Sequence, residues 1–241
     1  VRVTSITEYT PRVGTVVEFT ADVTGQPQPS PVPPSFNQRF HLGDLDDAER
    51  VWIAGAFEVQ GSLDTRALAW AFEHLIDRHD TLRSSFVRVP AGIERTIYEP
   101  GSVQMRQSTR TTFSSASTLR NHLRNALELH CDARRFPSYT CFGIDRPDTS
   151  TILCAFDHSN VDAMSIAVVV DEWQGCFDAA VLDEPADRRQ VCLRVRRAAA
   201  VGVVQGVDLV DHDGDRHGID VGVVESAQYR RGVRPVDSET G

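Results

Sequence analysis

The segment richest in potential chemistry is Ala155-Phe156-Asp157-His158-Ser159-Asn160-Val161-Asp162-Ala163-Met164-Ser165, in which a histidine is followed four residues later by an aspartate. An imidazole, with an intrinsic pKa of about 6.5, can take a proton from a hydroxyl near neutral pH. His-x-x-x-Asp is common by chance, so a solvated or core-satisfied His158 is the competing reading. Other chemistry-bearing residues are weaker. Cys131, Cys141, Cys154, Cys176 and Cys192 are odd in number and lack CxxC spacing, so they read as buried reduced thiols and not as disulfides or zinc ligands. The run Asp211 to Asp220 alternates acids like a calcium loop, but Arg216 stands where the turn needs Gly and Gly222 where the last ligand needs Glu. No metal is expected.

The elements around His158 follow from local patterns. Residues 151–156 read as a strand entering the segment, and residues 163–177 as a buried, largely apolar helix leaving it. Upstream, Leu63, Ala67, Leu68, Ala71, Phe72, Leu75 and Ile76 form one helical stripe that Asp64 can cap, ending near His79. A second helix spans 117–129, carrying Leu119, Leu123, Ala126 and Leu127. Strands are expected at 13–19, 51–59, 82–89, 94–98 and 139–144. The proline-rich stretch Gln26 to Pro34 reads as an extended connector, after which Ser35 caps a short helix whose Phe36 and Phe40 share a face.

Three segments in order, Ser35-Phe36-Asn37-Gln38-Arg39-Phe40-His41-Leu42, Arg78-His79-Asp80-Thr81-Leu82-Arg83-Ser84-Ser85-Phe86 and His158 to Ala163, resemble the condensation-domain superfamily with its chloramphenicol acetyltransferase-like fold. Thr10-Pro11-Arg12-Val13-Gly14 and the Pro-Pro lead-in to Ser35 are most similar to its polyketide-associated acyltransferases, which build actinobacterial cell-envelope lipids. The resemblance covers roughly residues 5–180. It implies an α/β lobe, a mixed sheet flanked by helices. It also implies transfer of a fatty or polyketide acyl group from a thioester, on an acyl carrier protein, a polyketide synthase or coenzyme A, to a hydroxyl of a sugar or lipid such as trehalose. His158 would be the general base, with no bound cofactor. Asp162 would orient the loop through Arg83 or Arg39, and the N–H of Ala163 would face the developing oxyanion. Two positions depart from the superfamily pattern: Asp157 stands for its first His, and Ala163 for its Gly.

Composition limits the partners. Among 241 residues there are 25 Arg, no Lys and 34 acids, a net charge of -9 that argues against nucleic acid. No apolar run approaches the roughly 20 residues of a membrane-spanning helix, and no secretion signal is read, so the expectation is a cytoplasmic protein, or one peripheral to the inner face of the membrane. The deficit lies in residues 1–186. Residues 187–241 balance 9 Arg with 9 acids, contain neither Phe nor Trp, and draw on Val, Arg, Asp and Gly for most positions. The chain thus reads as a lobe at 1–186 and an atypical, poorly structured tail at 187–241, frame-shifted translation being favoured over a flexible appendage, with short strands conceivable at 191–195 and 221–224. Superfamily members have two lobes, and no counterpart of the second is read here, so a catalytically silent remnant or carrier-docking module is the alternative. A fragment of a nonribosomal peptide condensation domain is another.

Overall fold

The computed structural model describes residues 2–43, 51–181 and 222–225 of the chain. In chain order the elements are β1 (Arg2–Ser5), β2 (Thr15–Val23), β3 (Gln28–Pro29), α1 (Phe36–Leu42), β4 (Trp52–Gln60), α2 (Thr65–Arg78), a 3₁₀ turn (Asp80–Arg83), β5 (Ser84–Val89), β6 (Gly92–Ile97), β7 (Val103–Thr112), α3 (Ala116–His130), β8 (Tyr139–Asp145), β9 (Thr149–Asp157), α4 (Ala163–Val181) and β10 (Gly222–Glu225). A seven-stranded sheet has the order β1-β10-β4-β9-β8-β2-β7, antiparallel apart from the β1–β10 pair, and a three-stranded sheet has the order β3-β6-β5. This is the expected mixed α/β architecture.

Strand alternation builds two cores. Ile152, Cys154 and Phe156 of β9, with Ile53 and Phe57 of β4, face α2 and α4; Leu153 and Ala155, with Trp52, Ala54 and Ala56, face α3 through Leu119, Leu123 and Leu127. The β4 and β9 residues are almost wholly apolar because both faces of the sheet are covered. α4 buries Ile166, Val169, Val170, Trp173, Cys176 and Phe177, the 3–4 residue spacing of one helical face. It lies close to β4 because Gly55 has no side chain: a Cβ there would sit 3.1 Å from Val170 Cγ2 and 3.2 Å from Ile166 Cγ2.

Two helices begin at the caps expected, Ser35 and Asp64, and a third at Ser115, which was not read as a cap. Asp64 Oδ1 accepts from the N–H groups of Arg66 and Ala67, Ser115 Oγ accepts from Thr118 N, and Ser35 forms a reciprocal capping box with Gln38. The shared face of Phe36 and Phe40 is open, the two being 86% and 65% exposed. Residues 82 and 83, read as the start of a strand, lie instead in the 3₁₀ turn, because Arg83 is drawn back to the end of α2. β7 was not expected: beyond Val103 and Met105 it is polar, and a threonine-rich edge strand carries no apolar period. The short β1 and β3 were likewise not read.

Cys131, Cys141, Cys154 and Cys176 are buried free thiols; Cys192 lies outside the described residues. So do residues 187–221 and 226–241, and with them most of the predicted tail, the strand at 191–195 and the acidic run at 211–220. The strand expected at 221–224 is β10, one residue on. No described helix is long and apolar enough to cross a membrane.

Candidate active site

The strand alternation that sorts β9 continues into the motif. Phe156 faces α2 and α4, so Asp157 turns to the α3 side, and the next residue, His158, emerges on the α4 side. There Asp157 accepts from Ala133 N (2.9 Å), Ser159 N (2.9 Å) and Ser159 Oγ (2.6 Å). Burial raises its pKa, and these three donors hold the rise in check. Asp157 is thus the anchor of the turn.

The loop from 158 to 162 is pinned on every side. His158 N donates to Val51 O (2.8 Å), extending the β9–β4 ladder by a residue. Asn160 N donates to Asp157 O, Asn160 Nδ2 donates to Ser138 Oγ (2.7 Å), and Thr81 Oγ1 donates to Asn160 O (3.0 Å). His158 is 7% exposed, its ring stacked on His41 of α1 with centroids 4.1 Å apart and planes 23° from parallel. Desolvation, then the neighbouring His158, push the His41 pKa down to about 4, against the pull of Asp162, so His41 is neutral at neutral pH.

Asp162 caps α4. Its Oδ1 accepts from Ser165 N (2.8 Å) and Ser165 Oγ (2.6 Å). Partial burial pushes the Asp162 pKa up, but the Ser165 bonds, His158 and the Met164 N–H outweigh it, and the pKa lies below the usual carboxylate value. The cap takes the N–H groups of Met164 and Ser165, so the N–H of Ala163, at the first helical position, is not among those it uses.

The arginines do something other than expected. Arg83, 4% exposed, donates to Ile76 O (3.0 Å), Asp77 O and Tyr98 O (3.1 Å), and pairs with Asp80 Oδ1 at 2.6 Å. It therefore closes the C-terminal end of α2, where unsatisfied carbonyls and the helix dipole favour a cation. Arg39 is exposed and donates to Pro34 O (2.9 Å). Neither pairs with Asp162; the expected Arg–Asp162 brace is replaced by the Ser165 cap. The signal that misled was proximity in motif order, which does not encode which acid an arginine meets.

The rest of the second motif still positions the site. His79 Nε2 lies 2.6 Å and Arg78 Nε 3.6 Å from Glu172 Oε2, tying the end of α2 to α4. With Thr81 holding Asn160, this segment sets both the loop and the helix beyond it.

A cavity of about 330 Å³ joins the three motif segments: Ser35, Asn37 and Gln38 of the first, Thr81 of the second, and His158, Asp162 and Ser165 of the third line it together. Arg95 of β6 lines it too, and sequence reasoning missed it, as it missed His41. β6 has too few apolar residues to flag one face. His41 lay in a quoted motif, but only the fold stacks it on His158. Among the described residues no cluster of His, Cys, Asp and Glu could hold a metal ion.

A buried histidine thus stands at a strand-to-helix loop, stacked on a neutral His41 and lining a polar cleft with Asp162. No family model matches the chain. Over 165 residues it is 29% identical to the 2'-acyl-2-O-sulfo-trehalose (hydroxy)phthioceranyltransferase PapA1 of Mycobacterium tuberculosis and Mycobacterium bovis, an alignment covering 65% of this chain and 31% of that protein. It is 26% identical over 161 residues to the chondramide synthase CmdD of Chondromyces crocatus, covering 65% of this chain and 4% of that one. Among solved structures, the PapA2 acyl transferase superposes with a TM-score of 0.65 at 24% identity, covering 80% of this chain and 45% of that one. The chain is thus similar in sequence to PapA1 and shares the fold of the PapA2 acyl transferase. It spans about a third of the length of PapA1.

Proposed function

We propose that the chain carries the base-bearing lobe of an acyltransferase that moves an acyl group from a thioester to a hydroxyl of a sugar or lipid acceptor. The observation that carries this reading is the convergence of three separate sequence segments on one cleft that contains His158. The acceptor hydroxyl gives its proton to the His158 imidazole as its oxygen attacks the thioester carbonyl carbon. The resulting oxyanion lies toward the Ala163 N–H, and its collapse expels a thiolate that recovers the proton from His158. An ester and a free thiol result, and no acyl-enzyme intervenes.

Acyl-coenzyme A, an acyl carrier protein or a polyketide synthase would supply the thioester, and trehalose or a sulfated trehalose is the first acceptor to test, since the name of PapA1 specifies a sulfated trehalose. The domain assignment that goes with this reading is a lobe at 1–186 and a separate tail at 187–241. The test is ester formation from acyl-coenzyme A and trehalose by the chain as given. Transfer that falls by about 10²- to 10⁴-fold in His158→Ala supports the base assignment; transfer that survives the substitution removes it. Absence of transfer in the unaltered chain favours the silent or docking reading. An amine acceptor outperforming the alcohol would favour a peptide-forming relative.

A further inference from the structure

The geometry points to Arg95 as an anion-binding residue of the cleft, taking a sulfate or phosphate monoester borne by one of the two substrates. This deepens the proposed acyl-transfer reading and rests on the cleft being its substrate site. Arg95 sits on β6 opposite Phe86 of β5, one strand-repeat from Ile93, which packs with Phe86 against Leu42 of α1. The same face therefore carries Arg95 toward the α1 side, and it lines the cleft with Ser35, Gln38 and His158.

Its guanidinium is held but not neutralised. Nε donates to Ser84 Oγ at 2.8 Å, and Ser84 Oγ donates in turn to Asp80 O at 2.7 Å. Asp80, whose backbone carbonyl takes the Ser84 proton, gives its carboxylate to Arg83 at 2.6 Å. Among the described residues neither Nη atom of Arg95 has a hydrogen bond or ion pair. A half-buried arginine fixed at Nε and open at both Nη atoms presents the fork that matches a tetrahedral oxyanion.

Two neighbouring groups have donors to give. The capping box commits Gln38 Oε1 to Ser35 N, which leaves the Gln38 Nε2 protons uncommitted, and Ser35 Oγ accepts from Gln38 N, which leaves its own proton to give. Asp162 is the carboxylate of the lining, and its Oδ1 is committed to Ser165, while Asn160 Oδ1 is buried. An open guanidinium fork flanked by uncommitted donors suits an acceptor-rich anion better than a neutral polyol, the Asp162 carboxylate being the opposing charge that it must outweigh.

The test measures binding, which does not require turnover. Titrations of the full chain at low ionic strength compare the acceptor sugar with its sulfate monoester, and pantetheine with 4'-phosphopantetheine. In one of the two pairs the charged member should bind at least about tenfold tighter. The pair that shows the gain identifies whether acceptor or donor carries the anion. Arg95→Gln should erase the gain while leaving the thermal melt unchanged, and Arg95→Lys should keep part of it. His158→Ala should retain the gain, so a failed transfer assay and a failed anion site give different results. Equal binding within both pairs, or a gain that survives Arg95→Gln, overturns the assignment.

Discussion

At the scale of single residues, the adjacent pair Asp157 and His158 part because a strand sends neighbours to opposite faces: the acid goes to the α3 side to fix the turn, the imidazole to the cleft. Asp162 then works through the helix it starts. Asp162→Ala should lose about 1 kcal/mol in denaturant unfolding, whereas Asp162→Asn, which can still cap, should lose little; a similar loss in both would show that charge, and not the cap, is what matters. His41 sets a pH dependence. Its pKa is near 4 in the fold against about 6.5 in the unfolded chain, so between those values the unfolded state binds more protons. The corresponding stability is fully present above pH ~6.5 and is lost as pH falls toward ~4. His41→Phe, which keeps a stackable ring, should flatten the stability profile across that window, and an unchanged slope would assign it to other groups.

At the scale of elements, the second motif is a bracket. Arg83 gathers the carbonyls that end α2, and Arg78 and His79 fasten that end to α4 through Glu172. Arg83→Met should cost about 3–5 kcal/mol, because it strands buried carbonyls as well as deleting a charge; a loss below 1 kcal/mol would mean that water replaces the guanidinium. Gly55→Ala tests the other contact of α4. The added methyl meets β-branched Val170 and Ile166, so α4 must shift by a few tenths of an ångström, destabilising the chain by about 1–3 kcal/mol. Since Asp162 caps the same helix, transfer should fall with it. These elements were legible where their cause is local: Asp64 and Ser35 cap as read, and the apolar stripe of α2 is its buried face. The partner of Arg83 was not, because motif order says nothing about which carbonyls converge on it in space. Arg95 was invisible for a related reason, since it is the fold that brings β6 to the cleft.

At the scale of the whole molecule, the strands at 51–59 and 151–156 were legible, while their pairing, the burial of both faces of β4 and the order of the sheet were not, since pairing depends on contacts distant in sequence. β10 makes the point. It lies between β1 and β4, with Val223 registered against Val3 on one side and Gly55 on the other. Val223→Pro should remove a ladder donor there. Amide exchange should then accelerate in residues 2–5 as well as in β10 while β8 and β9 remain protected, and unchanged protection of β1 would show that it does not depend on β10. The position of β10 also orders events in time. Among the described residues β1 joins the sheet through a strand translated far later, so β4 must keep an open edge while the intervening chain is made. Until residue 222 arrives, that edge is a place where another chain can add, and the yield of correctly paired molecules should fall with concentration during refolding.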